Sequence, residues 1–315
     1  MKRQVRITLA LLALLAIFPL ITAVTGQPFL RDVANRVMIL GLAAVSLNFI
    51  LGYGGLVSFG HAAFIGLGGY AVGILASHGI TSGPLQLAVA ISVSALFAWA
   101  TGLLALKTRG VHFIMITMAF AQMAYYGLRA LKAYGGDDGL PIRRRSDFGL
   151  FTLADGLTLY YVSFAALAFG MLLVHRLSGS AFGLVLVAAR DNEKRVIASG
   201  LDSLRFQLAA YVIAGAMAGV AGLLLANFTG FISPAVGDWT RSAQLMFMVI
   251  LGGAATLAGP LAGAIVYLVL EEVLSRLTTY WQFFFGAILL GYVLIGRGGI
   301  GQDIAQWLIS RAKRA

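Results

Sequence analysis

Six consecutive residues, Arg190-Asp191-Asn192-Glu193-Lys194-Arg195, set opposed charges side by side in a chain that is 60% hydrophobic and only 11% charged. Such groups form ion pairs and charge-assisted hydrogen bonds with a partner surface. Hydrocarbon admits helices and excludes ion-rich loops, so these residues belong at a membrane face. Leu184, Val187 and Ala188 precede the charges; Val196, Ile197, Leu201 and Leu204 follow them. An idle loop needs no apolar flanks on both sides. The island over residues 176–205, with Gly200 near its end, is therefore expected to be a short amphipathic element gripped by a soluble partner. A solvated interhelical loop is the alternative that composition leaves open.

A second polar constellation interrupts an apolar stretch at residues 52–61, Gly-Tyr-Gly-Gly-Leu-Val-Ser-Phe-Gly-His. Glycines release the backbone from helical geometry, and Asn48, Ser58 and His61 can satisfy the freed amides and carbonyls. Two readings stand level: a broken helix lining a substrate path near mid-membrane, with Asn48, Tyr53, Ser58 and His61 as its polar lining, or a short cytoplasmic turn. The four histidines lack ligand spacing and the chain has no cysteine, so no metal site is expected and His61 reads as structural. Glu271-Glu272 ends an apolar run beside Ser275-Arg276 and reads as a solvated helix end. Gly215, Gly219 and Gly222 have the spacing that lets two membrane helices approach closely.

Catalysis finds no foothold. There is no phosphate-binding Gly-x-x-x-x-Gly-Lys-Ser/Thr loop, no Gly-x-Ser-x-Gly elbow and no His-Glu-x-x-His pair. No catalytic residue and no cofactor is expected in this chain.

The elements that must position these residues follow from composition. Mean hydropathy is +0.90 over 315 residues, whereas soluble domains carry roughly 25% charged residues. Lipid must be the solvent for much of the surface. Candidate spans are 7–24, 37–53, 60–77, 85–106, 111–128, 158–175, 206–226, 242–253, 256–270 and 281–296, several of them short or separated by Gly-rich breaks. The expectation is an all-α, polytopic helical bundle of eight to ten crossings, forming one transmembrane domain over residues 1–315. The first apolar run exceeds a signal-peptide core and reads as an uncleaved helix. The net charge of +11 follows the positive-inside bias, with the island and both termini on the cytoplasmic side, and no basic groove suggests nucleic acid. Arg143, Arg144 and Arg145 on the outer side run against that bias.

With these motifs in view, the sequence resembles the LivM-type permease of bacterial branched-chain amino acid ATP-binding-cassette transporters, from about Val37 to Gly301. The resemblance is carried by Ser46-Leu47-Asn48, the run from Leu51 to Gly55, Ser58-Phe59-Gly60-His61, Arg109-Gly110, Gly135-Gly136-Asp137-Asp138-Gly139, the island from Phe182 to Gly200, and Gly252-Gly253 with Gly259-Pro260. Ala254-Ala255 stands where that family commonly has a further glycine, and residues 295–299 replace a Pro-containing stretch. The resemblance implies a bacterial inner-membrane importer. It pairs a second, LivH-type permease with two cytoplasmic ATPases that use ATP and magnesium, fed by a periplasmic binding protein. It also assigns residues 190–195 and Gly200 to coupling with the ATPase. Urea or short amides are alternative cargoes; an ion-coupled secondary transporter and a non-transporting scaffold are the rival classes.

Overall fold

The computed structural model describes residues 2–25 and 28–295. Its helices are α1 (Lys2–Thr25), α2 (Pro28–Asn48), α3 (His61–Ser77), α4 (Gly83–Ala105), α5 (Val111–Ala130), α6 (Gly156–Ser178), α7 (Ala181–Ala198), α8 (Ser203–Thr229), α9 (Trp239–Gly252), α10 (Gly259–Leu277) and α11 (Trp281–Ile295). Five stretches, 29–53, 83–105, 111–130, 156–178 and 203–229, are long and apolar enough to cross a bilayer. Trp99 of α4, Met123 of α5 and Phe169 of α6 are exposed, as lipid-facing side chains should be. The fold is an all-α, multi-pass membrane bundle.

Small residues set its centre. α8 is wedged between α3 and α4 and packs more extensively against them than against other elements. A Cβ on Gly219 would collide with Ser94 of α4, and one on Gly222 with the Ile65 carbonyl of α3. Without a hydrophobic force between helices in lipid, this backbone proximity is what dispersion requires. Tyr160 of α6 ties α1 to the bundle by donating its hydroxyl proton to the Leu15 carbonyl at 2.6 Å.

Two expectations about the elements need correction. The second span begins at Pro28 rather than at residue 37, so Arg31 and Arg36 lie inside α2 and not in a loop. Glu271 is not a solvated helix end: its carboxylate accepts from Arg36 of α2 at 3.2 Å. Only Glu272, half-exposed, has the locally paired character expected, bound to Arg276 at 2.7 Å. The residue 296 end of the last span, the departure at 295–299 beyond Ile295, and the basic C-terminal stretch lie outside the described residues.

At the end of the bundle opposite α7, β1 (Leu140–Pro141) pairs antiparallel with β2 (Phe231–Ile232), Leu140 facing Ile232. The arginine triplet belongs here, and one member has a structural task. Arg145 donates to the carbonyl of Asn227 at the C-terminal end of α8, where unsatisfied carbonyls and the negative end of the helix dipole favour a cation. Burial pushes its guanidinium pKa down from the ordinary value. Arg143 and Arg144 are exposed. Asp155 caps α6 by accepting from the Thr158 amide and hydroxyl, bonds that hold its carboxyl below the usual range.

Candidate functional site

The island folds as a helix with a break in it. Asn192 has φ −159° and ψ 92°, which stops the first segment of α7 at residue 191. Its side-chain Oδ1 then accepts from the Arg195 amide at 3.1 Å, so the residue that breaks the helix also caps the next segment. Gly200, at φ +84°, makes the left-handed turn that releases the chain into α8.

One face of α7 is tied to the bundle through two charges. Arg190 donates from Nη1 to the Gly52 carbonyl at 2.7 Å and pairs with Asp191 at 3.0 Å. Glu193 accepts from Ser203 at the start of α8 at 2.7 Å and forms an ion pair with Arg109 of the α4–α5 loop at 2.6 Å. Three separate elements are thus anchored to six residues. A cavity of about 310 Å³ opens under this face, lined by Gly54, Gly55, Arg109, Arg190, Glu193 and Gln207 among others.

The opposite face is open. Leu184, Ala188, Asp191, Arg195 and Leu201 line a surface groove of about 540 Å³. Leu184 is 70% exposed, an unusual position for leucine unless something covers it. Asp191, Lys194 and Arg195 are exposed beside it. Of the six charged-run residues, Arg190 and Glu193 therefore point inward and Asp191, Lys194 and Arg195 outward.

The Gly-rich break lies directly against the island. α2 ends in a π-helical turn, Phe49–Tyr53, of the kind that often accompanies function. Gly55 has φ +68° and the Arg190 side-chain stem lies over it, so a Cβ there would be both strained and obstructed. From this level the chain climbs without helical structure to Gly60. There the Phe59 amide donates to Thr117 Oγ1 at 3.2 Å. Thr117 lies about 9 Å along α5 from Val111 at 1.5 Å per residue. The segment begins at the α7 level and rises into the bundle.

A matching break enters from the other end. Pro234–Gly237 brings the chain down onto Gly66 of α3, and α9 starts there, with Ser242 accepting from the Ala62 amide at 2.9 Å. The fourteen residues of α9 rise only about 21 Å, less than the ~30 Å hydrocarbon core, which explains how so short a helix is placed. The α9–α10 bend packs on α2: a Cβ on Gly52 would meet the Ala255 backbone.

The expected polar lining is sealed in this conformation. Asn48 uses its amide on the α9–α10 bend, donating to Thr256 O at 3.0 Å and accepting from the Ala255 amide at 2.9 Å. His61 Nε2 bonds Ser46 at 2.7 Å, and Ser58 accepts from the Gly60 amide at 3.2 Å. All three are buried, and none lines the cavity under α7. Tyr53 is half-buried, its ring 6.4 Å from that of Phe49. Arg109, which completes the Glu193 pair, was missed as a site residue because its partner is distant in sequence.

Broken helices meet inside this multi-pass bundle, with a kinked, charged helix at one end. Residues 29–293 match the family described as branched-chain amino acid transport system / permease component, and the chain belongs to that family. The LivM high-affinity branched-chain amino acid permease of Salmonella typhimurium is 25% identical over 283 residues, covering 82% of this chain and 67% of that one. The autoinducer 2 import permease LsrC of Enterobacter sp. is 26% identical over 315 residues, covering 94% and 88%. The xylose permease XylH of Escherichia coli K12 is 31% identical over 143 residues, covering 43% and 33%. No solved structure matches the chain.

Proposed function

We propose that this chain is one of two membrane-spanning subunits of a bacterial ATP-binding-cassette importer for branched-chain amino acids. It works with a second permease, two ATPases and a periplasmic binding protein. The observation that carries the reading is the two-faced α7. Its open groove is the seat for the ATPase, and its inward charges pass the displacement to α2, the α4–α5 loop and α8. α7 and both termini then face the cytoplasm. When ATP closes the ATPase dimer, α7 moves with it. Arg190 draws on the end of α2 at Gly52, and through Asn48 on the α9–α10 bend. Such coupling requires only that the ATPase bind α7 differently in the two states. Asn48, Ser58 and His61 act in this reading as joints between broken helices rather than as cargo contacts.

The two faces separate by mutation. K194E/R195E alters only exposed charges and should lose co-purifying ATPase. R190A should keep the ATPase bound yet lose most ATP-driven uptake. Wild-type uptake by both variants would overturn the coupling role. The XylH likeness favours a second cargo reading, a sugar, which direct uptake assays with leucine and xylose decide.

A further inference from the structure

Far from α7, three ionisable side chains from three helices meet inside the bundle, and the coupling scheme uses none of them. Arg36 of α2 holds Glu271 of α10, its Nη2 lying 3.2 Å from both carboxylate oxygens. Arg241, in the first turn of α9, lies within electrostatic reach of Arg36, Glu271 and Tyr267. Its Nη1 donates to the Gln244 amide oxygen at 2.8 Å, and among the described residues no carboxylate lies within 4.0 Å of it. Two guanidiniums thus face one carboxylate. An ion pair that merely fastened α2 to α10 would need one arginine, and the second is unaccounted for.

Depth makes the surplus charge costly. Arg36 lies within the apolar span 29–53, and Arg241 stands roughly 16 Å along α9 from the bend at Gly252. The Arg36 side chain is 38% exposed and that of Glu271 19%. Lipid does not tolerate open charges at this depth, so the exposed side faces water or a neighbouring subunit. The local field also favours an anion: α9 begins here, and the N-terminal end of a helix carries partial positive charge.

We propose that Arg241, supported by Arg36, binds the carboxylate of the transported molecule, while Glu271 receives its ammonium group. The inference rests on the importer reading and narrows it to carboxylate-bearing zwitterions. A neutral sugar offers nothing to neutralise the extra guanidinium.

The test is uptake of radiolabelled L-leucine by proteoliposomes holding the intact complex and its loaded binding protein, with ATP hydrolysis followed in the same vesicles. Arg241→Gln should lower leucine uptake roughly ten- to hundredfold, the loss expected for a charge-assisted hydrogen bond. Hydrolysis stimulated by the binding protein should persist, and Arg241→Lys, which keeps the charge, should restore part of the uptake. Because Glu271→Gln risks misfolding, Arg241→Lys is the variant that keeps the inference exposed to refutation. Leucine uptake by Arg241→Gln at the wild-type rate overturns the subsite while leaving the importer reading intact. Equal loss of uptake and hydrolysis in both Arg241 variants also overturns it, since that is the signature of a structural residue. Failure of the unsubstituted complex to carry leucine, isoleucine or valine, with xylose carried instead, overturns the amino-acid reading and the subsite with it.

Discussion

Ala255 shows how a single side chain can carry backbone strain. Among the described residues it is the one other than glycine at positive φ, +60°, and it sits in the α9–α10 bend. A Cβ in the left-handed region costs roughly 1–2 kcal/mol, while glycine would lose part of that advantage to the entropy of the unfolded chain. Ala255→Gly should therefore stabilise the protein slightly, by about 0.5 kcal/mol, seen as a small upward shift in thermal unfolding in detergent. A downward shift would mean that the bend needs the stiffness of alanine. Gly52, facing Ala255, behaves oppositely. With the Ala255 backbone where its Cβ would go, Gly52→Ala forces the α2 end away from the bend. Overpacking of this kind costs roughly 1–3 kcal/mol, measurable as lost thermal stability.

At the scale of elements, α7 depends on one residue doing two things. Asn192→Ala removes the side-chain cap on the second segment, at a cost of about 1 kcal/mol, and allows the helix to run straight through. A straight α7 would re-aim Glu193 away from Ser203 and Arg109, so the variant should retain membrane insertion while uptake falls severalfold. Unchanged uptake would show that the kink is incidental. The charged run was legible as an island because its composition breaks so sharply with its surroundings. The division of its charges into inward and outward sets was not, since that depends on Gly52, Arg109 and Ser203 arriving from elsewhere. Helix positions were legible for a similar reason: long apolar runs between polar breaks have few other fates in lipid. What escaped was long-range closure. Arg36 and Glu271 stand 235 residues apart, and the sequence placed Arg36 in a loop before the span 37–53, so nothing paired the two. The dip of Pro234–Gly237 into the bundle left no sign beyond the shortness of the following apolar run.

The whole molecule carries an orientation that its own composition makes testable. The chain has no cysteine, so each cysteine introduced is the sole reactive thiol. Lys194 lies on the exposed face of α7, and Leu150, 96% exposed, lies in the loop between α5 and α6 at the opposite end. If the importer reading holds, the ATPase approaches from the cytoplasm and α7 must face it. A membrane-impermeant maleimide applied to intact spheroplasts should then label Leu150→Cys and leave Lys194→Cys unmodified until the membrane is opened. Both substitutions fall on solvent-facing positions away from the helix contacts, so neither should disturb folding. The reverse pattern would place α7 and its groove outside the cell, beyond the reach of any ATPase, and would remove the physical basis for ATP-driven movement of α2 and α8. The same measurement on Arg144→Cys adds a second reporter from the Leu150 end, where the exposed Arg143 and Arg144 run against the positive-inside bias. Labelling there from outside would show that the bias of the island side prevails over two arginines, with the third held in place by the carbonyls that end α8.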